Sequence, residues 1–155
     1  MRKDVRELIA HTGVSPIVAA VDGTEASQAA VEEAVRLGND LDAPVVFVHV
    51  RRGPAGFFGE PVYQQRLTKK MARARRTLER AVAADARAGV SAEGEILEGS
   101  PRTRIPEFAR DRGARLVVVG SRKRRLGRSV SGGIVRSAER PVVVARGRRQ
   151  LAVAG

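Results

Sequence analysis

Residues 116–129 read LVVVGSRKRRLGRS and join an apolar run to a basic loop. Four consecutive aliphatic residues at 116–119 are typical of a strand that is buried on both faces, as in a parallel sheet. Gly120 follows them and allows the chain to turn where a side chain would block a ligand. The cations that come next are Arg122, Lys123, Arg124, Arg125 and Arg128. This arrangement predicts an anion site at the edge of a parallel sheet.

Similar apolar runs recur along the chain, and segments with helical periodicity separate them. Strands are predicted over residues 16–21, 45–50, 90–97, 116–119 and 141–145. Helices are predicted after Thr24, over 62–88, near 105–112 and over 129–139. Because alternating strands and helices are typical of right-handed βαβ units, we predict an α/β protein with a parallel sheet and helices on both faces.

The third predicted helix has two candidate starting points. Ser100 and Pro101 are residue types that suit a helix cap and the first helical position. Pro106 would clash with the preceding turn of such a helix. We therefore expect the helix to begin near Ile105 and to end at Arg112.

Length and composition limit the classes of protein to which the chain can belong. A chain of 155 residues fits one domain, expected over 15–146, with an N-terminal extension at 1–14 and a C-terminal tail at 147–155. The absence of cysteine excludes disulfides, thiol catalysis and cysteine-bound zinc. Since no signal sequence or apolar membrane span is recognisable, a cytoplasmic protein is expected.

The net charge of +12 is spread unevenly along the chain. Residues 115–149 contain eleven Arg or Lys and a single acid, Glu139. Such a surface attracts nucleotides, nucleic acid or an acidic protein through a salt-dependent field; the alternative is an arginine-rich composition without a specific polyanion partner. The cations of the predicted helix 62–88 are interpreted as a solvated face.

Ligands of open parallel sheets bind beyond the carboxyl ends of the strands, where the winding direction reverses. The residues at those positions are Ala20, Val21, Asp22, His49, Val50, Val119 and Gly120. We expect the ends of the first and fourth strands to lie side by side and to leave a positively lined crevice. The Asp22 carboxylate could bond a ribose hydroxyl or a metal-bound phosphate. Alternatively it supports the turn that leads to Thr24, and this second role alone is slightly preferred.

Five short motifs occur in a specific order around this βαβ frame. They are IVAAVDGTEAS at 17–27, HV at 49–50, GSP at 99–101, VVVGSR at 117–122 and PVVV at 141–144. In this combination the chain resembles the universal stress proteins over about residues 15–146. The resemblance implies an open five-stranded parallel sheet in the order 3-2-1-4-5, the adenine nucleotide alpha hydrolase-like fold, and a homodimer formed through the fifth strand.

The loop after the fourth strand departs from the pattern of the family's nucleotide-binding branch, which is Gly-x-x-Gly, nine residues, Gly-Ser/Thr. Gly120 matches the first glycine, but Lys123 stands at the second, and the spacing then reaches a glycine that no hydroxyl residue follows. Anchoring the alignment on Pro141 instead matches residues 128–131 to Gly-Ser-Val-Ser/Thr and makes the loop five residues shorter. In this preferred alignment Ser129 begins a helix whose N-terminal amides can meet an anion.

The resemblance implies a set of nucleotide-binding residues: Ala20, Val21, Asp22, Val50, Val119, Gly120, Arg122, Lys123, Arg128, Ser129, Val130 and Ser131. Ala20, Asp22 and Val50 would bound the base and ribose. The residues implied near the phosphates are Gly120, Ser129, Val130 and Ser131. Lys123 and Arg128 stand where glycines are expected, so they either block the close approach of the backbone or replace it with cationic contacts. The implied ligand is ATP or another adenine nucleotide, which could bring magnesium with it.

No catalytic residue is predicted. A Gly-Lys dipeptide is absent, so the chain lacks the P-loop signature, and at most slow ATP hydrolysis is expected. Residues 127–131 read GRSVS and are similar to the nucleophile elbow of serine hydrolases, but Ser131 replaces the last glycine and no histidine follows Ser129. Two histidines are too few to suggest a metal cluster.

Two functions are compatible with these patterns. The first is a cytoplasmic stress-response protein of the universal stress type, which binds an adenine nucleotide and acts as a dimeric sensor or regulator. The second is a nucleotide-free interaction module whose basic surface binds an acidic protein or nucleic acid.

Overall fold

A computed structural model describes residues 14–52, 60–121 and 130–147 of the chain. The five strands are β1 (Ile17–Ala20), β2 (Val45–Arg51), β3 (Ala92–Glu98), β4 (Leu116–Ser121) and β5 (Val142–Arg146). The four helices between them are α1 (Glu25–Leu41), α2 (Glu60–Arg87), α3 (Pro101–Asp111) and α4 (Val130–Ser137). The predicted alternation of strands and helices is confirmed.

The strands form one parallel sheet in the order β3-β2-β1-β4-β5, as the resemblance implied. The central strand β1 pairs with β2 on one side, where Ile17 lies opposite Val45, and with β4 on the other, where Ile17 lies opposite Leu116. The chain therefore winds from β1 to β2 in one direction and reaches β4 in the other. This reversal places the topological switch point between β1 and β4.

Alternate residues of each strand build two apolar layers, one on each face of the sheet. Ile17 packs with Phe47 and the helices α1 and α2 on one face. Val18 packs with Val46 and the helices α3 and α4 on the other. Because both faces are covered, the central strands consist of continuous apolar runs, which is why they were recognisable in the sequence.

Helix α3 begins four residues earlier than expected, at Pro101, so the predicted start near Ile105 is wrong. Pro106 lies inside the helix and cannot donate a backbone hydrogen bond to the Arg102 carbonyl. The Ser137 hydroxyl of α4 lies 3.4 Å from that carbonyl oxygen, although its shorter bond, 2.8 Å, goes to the carbonyl of Gly133. The helix thus tolerates the proline beside a polar neighbour that only the tertiary structure supplies.

Helix α2 contains a carboxylate that the fold removes from water. The Asp85 side chain is completely buried, and neither of its oxygens has a hydrogen-bond partner among the described residues. Burial raises the pKa of Asp85 to about 7, since the neutral acid is less costly to bury than the carboxylate.

Within the described ranges, no helix combines the length and the apolar character that crossing a membrane requires.

Candidate functional site

The ends of β1 and β4 lie side by side, as expected from the sequence, but among the described residues the crevice between them has no cationic lining and Asp22 is its only charged residue. Their residues pair in register up to Ala19 opposite Val118, and both strands end at the same edge of the sheet. A cleft of about 370 Å³ opens at this edge. The switch point therefore offers a concave space of the size that small-molecule ligands use.

The cleft has apolar walls and a polar rim. Its apolar lining comes from Ala20, Val21, Ala26, Val48, Val50, Pro101, Ile105, Val119, Val130 and Ile134. Its polar lining comes from Asp22, Thr24, Ser27, Ser121 and Ser131, together with the backbone at Gly120. This division suits a ligand with a flat apolar part and a few hydrogen-bonding groups.

The prediction that the chain turns at Gly120 is wrong. This residue is not in a turn but inside β4, where it pairs with Ala145 of β5. A Cβ atom at this position would lie 2.0 Å from the Ala26 carbonyl oxygen of α1. The missing side chain therefore lets the first turn of α1 pack directly on β4, and this close contact forms the floor between the two strand ends.

The loop from β1 to α1 is held by hydrogen bonds within itself. Thr24 is the N-cap of α1, and its hydroxyl oxygen accepts a bond of 3.3 Å from the Ser27 amide. Gly23 adopts a positive φ of 82°, and its amide donates to the Ser27 hydroxyl at 3.1 Å. The Ser27 hydroxyl in turn donates to the Thr24 carbonyl at 3.2 Å. The polar groups on this side of the cleft are thus largely satisfied before any ligand arrives.

Asp22 supports this turn, as the preferred interpretation predicted. Its Oδ1 accepts bonds from the Thr24 amide at 3.0 Å and from the Thr24 hydroxyl at 2.6 Å. The side chain is exposed and also lines the cleft. Its second oxygen, Oδ2, has no hydrogen-bond donor among the described residues. Asp22 can therefore hold the turn and still offer an acceptor to a ligand.

Ser131 faces the same cleft from the first turn of α4. Its hydroxyl donates to the Gly120 carbonyl at 2.5 Å, which ties the helix to the end of β4. The hydroxyl proton is therefore committed to the protein. The backbone amides at the start of α4 have no acceptors within the helix and are available as donors to an anion.

His49 has a structural role at this edge of the sheet. Its Nδ1 lies 2.9 Å from the Val21 carbonyl oxygen and links the end of β2 to the end of β1. Among the described residues, no group of three or more His, Asp or Glu side chains could hold a metal ion.

The structure brings together eight of the predicted site residues around the cleft. They are Ala20, Val21, Asp22, Val50, Val119, Gly120, Val130 and Ser131. The other four, Arg122, Lys123, Arg128 and Ser129, lie outside the described residues.

Other residues of the cleft were missed as site residues. Val48 and Ser121 stand two positions from Val50 and Val119, so the period of two along a strand could have identified them. Ile105 and Ile134 come from α3 and α4, and no local pattern shows that these two helices border the same space. Thr24 was recognised only as a helix cap.

The sequence and the fold were compared with those of known proteins. The family model for the universal stress protein family matches residues 13–146. No match is found among curated proteins.

Three solved structures illustrate the similarity. A universal stress protein family member from Burkholderia pseudomallei is 28% identical, with a TM-score of 0.68, and the alignment covers 84% of this chain and 94% of that one. The universal stress protein of Archaeoglobus fulgidus in complex with dAMP is 25% identical, with a TM-score of 0.69 and coverage of 84% and 97%. A family member from Arabidopsis thaliana with AMP bound shares the fold at 21% identity, with a TM-score of 0.69 and coverage of 87% and 93%. With its sheet order, its switch-point cleft and a family match over most of its length, this chain belongs to the universal stress protein family.

Proposed function

We propose that the protein binds an adenine nucleotide in the cleft between β1 and β4. The observation that carries the proposal is the apolar cleft of about 370 Å³ at the switch point of the sheet. The archaeal relative that is 25% identical was crystallised with dAMP, which supports an adenine nucleotide as the ligand.

The chemistry of the lining fits the parts of such a ligand. In this proposal the base packs against the aliphatic wall that includes Ala20 and Val50, where a flat ring displaces water from apolar surface. The ribose hydroxyls donate to Oδ2 of Asp22, the oxygen that the capped turn leaves available. The phosphates lie towards the amides of Val130 and Ser131 at the start of α4.

The basic loop after β4 completes the proposed phosphate site. Lys123 and Arg128 would neutralise phosphate charge in place of the glycines of the family pattern, with Arg122 and Ser129 nearby. We propose ATP as the physiological nucleotide, with magnesium held by its phosphates. The role that follows is a cytoplasmic sensor or regulator whose nucleotide occupancy is the signal.

The proposal includes a homodimer formed through β5. This strand is at one edge of the sheet and leaves its outer backbone groups available for pairing with a second copy. Light scattering at micromolar concentration tests this part, and a monomer under those conditions would contradict it.

The nucleotide site is tested by calorimetry with AMP, ADP and ATP, each at low and physiological salt, with GMP as the ligand control. Ala20→Leu fills the apolar wall and is expected to lower affinity for all three adenine nucleotides at least about tenfold, since the base and the new side chain compete for one space. Asp22→Asn keeps an acceptor for Thr24 but removes the charge, and a loss of about fivefold is expected.

Asp40→Asn is the matched control, because Asp40 is an exposed carboxylate on α1 that pairs with Arg36 and does not line the cleft. Its affinities should equal those of the unaltered protein. The proposal would be rejected if none of the three nucleotides binds below millimolar concentration and the purified protein releases no nucleotide on denaturation.

A further inference from the structure

A second concave site lies beyond the loop that borders the cleft, between the end of β2 and helix α2. We call it the basic groove, and it is about 660 Å³ in volume. Its lining residues are Asp22, Gly23, Thr24, His49, Val50, Arg51, Arg52, Lys70, Arg73, Arg76, Thr77 and Arg80. The described residues of the lining thus include six Arg or Lys side chains and one carboxylate.

Two elements bring these cations together. Lys70, Arg73, Arg76 and Arg80 recur at helical spacing and present one face of α2 to the groove. Arg51 and Arg52 come from the end of β2, and the Lys70 ammonium donates to the Arg52 carbonyl at 3.3 Å, which joins the strand end to the helix. The helix face that was interpreted as merely solvated is therefore exposed, but a large part of it forms one wall of a cavity.

Four of the six described cations of the groove have no acidic partner among the described residues. Arg51 forms an ion pair of 2.8 Å with Glu98. No carboxylate among the described residues pairs with Arg52, Arg73, Arg76 or Arg80. Asp22, the only acid among the described residues of the lining, already accepts two hydrogen bonds from Thr24. Since like charges three and four positions apart destabilise a helix, this face costs stability unless an anion occupies it.

The shape and chemistry of the groove select among anions. The cations on α2 extend from Lys70 to Arg80, which corresponds to about 15 Å along the helix axis. Guanidinium groups match phosphate oxygens in a fork geometry. Apart from His49, the described residues of the lining offer no ring on which a nucleobase could stack, and single-stranded nucleic acid is usually held by such stacking. We propose that the basic groove binds an oligophosphate, an extended chain of linked phosphoryl groups without bases.

The groove is distinct from the proposed nucleotide phosphate site. The α4 amides and Ser131 line the cleft and do not line the groove, whereas the cations of α2 line the groove and not the cleft. The two spaces share only Asp22, Thr24 and Val50. An oligophosphate in the groove therefore lies on the far side of the capped turn from the nucleotide.

The test is calorimetric titration of the full chain with inorganic tripolyphosphate at physiological salt. The groove variant is Arg73→Gln with Arg80→Gln, and the control is Lys69→Gln with Arg75→Gln. The control residues are exposed cations of the same helix that do not line the groove, so both variants lose the same charge. We expect the groove variant to lose at least about tenfold in affinity, because two charge-assisted contacts are removed, and the control to change less than about twofold.

Two further measurements separate this proposal from the proposed function. AMP affinity should be nearly the same in the groove variant and the control, and tripolyphosphate should still bind when AMP saturates the protein. Equal tripolyphosphate affinity in the two variants would overturn the proposal. So would tighter binding of a single-stranded oligothymidylate than of tripolyphosphate, which would show that bases are recognised. Loss of AMP binding in Ala20→Leu with tripolyphosphate binding intact supports the groove as a separate site.

Discussion

The polar groups beside the cleft have hydrogen-bond partners within the protein, whereas several polar and charged groups of helix α2 have none among the described residues. Around the cleft, Asp22, Thr24 and Ser27 satisfy one another through short hydrogen bonds. In α2, the carboxyl group of Asp85 is buried without a hydrogen-bond partner among the described residues, and Arg73, Arg76 and Arg80 pair with no described carboxylate. The polar groups beside the cleft are therefore largely satisfied within the protein, whereas α2 carries a buried acid and several cations without partners among the described residues.

This difference indicates where the stability of the protein depends on conditions. The stability of the self-satisfied turn should depend little on salt, because its hydrogen bonds join residues only two to four positions apart. The stability of a helix with a buried acid and clustered cations should depend on both pH and salt. Three substitutions test this difference through the free energy of unfolding.

The largest effect is expected at Asp85. Its pKa of about 7 in the fold exceeds the ordinary value of 3.8, so between these pH values the folded protein binds more protons than the unfolded chain. The unfolding free energy should therefore fall as pH rises from about 4 to 7, by about 4 kcal/mol in total, and level off above. Urea denaturation of the unaltered protein and of Asp85→Asn across this range checks it, since the variant lacks the titration. A constant difference between the two proteins at all pH values would show that Asp85 does not titrate in this window.

Gly120→Ala tests whether the cleft depends on the contact between β4 and α1. The added Cβ would lie 2.0 Å from the Ala26 carbonyl oxygen, and backbone cannot yield as a flexible side chain does. We expect a loss of about 3 kcal/mol in unfolding free energy, together with weaker AMP binding. Gly147→Ala is the matched control, because a Cβ there meets nothing within 4 Å, and its stability should change by less than about 0.5 kcal/mol. Equal stability of the two variants would remove the packing role assigned to Gly120.

Thr24→Ala gives the smallest of the three effects and tests the self-satisfied turn directly. It removes the N-cap hydroxyl of α1 and one of the two bonds to Asp22, and a loss of about 1 kcal/mol is expected. Thr24→Ser keeps the hydroxyl and should retain most of that stability. The loss of stability should be the same at 0.05 and 1 M salt, although the Debye length differs severalfold between them, because the hydrogen bonds are local. A strong salt dependence would place the turn in the same class as α2.

Much of the fold could be predicted from the sequence because both faces of the sheet are covered. Burial on both faces turns the central strands into uninterrupted aliphatic runs, and Pro16 and Pro44 precede the first two of them. The cap at Thr24 was equally visible, since its residue type and position before an apolar helical pattern are local signals. The switch point then followed from the strand order that the family resemblance implied.

The features that could not be predicted are those that depend on contacts between distant elements. By local rules Pro106 predicts that no helix continues across it, yet α3 does continue through Pro106, where it lies beside α4. Gly120 was assigned to a turn because its neighbour in space, Ala26 of α1, is far away in the sequence. The cations of α2 have the pattern of any solvated face, and only the docking of that helix beside Arg51 and Arg52 makes them the wall of a groove.

The turn formed by Asp22, Gly23 and Thr24 separates the cleft from the basic groove. One side borders the cleft and the other borders the basic groove. A ligand that moves this turn changes the shape of both spaces. Thermodynamic linkage then requires that each ligand change the binding free energy of the other by the same amount. If both proposed ligands bind, the affinity of each site for its ligand can depend on whether the other site is occupied.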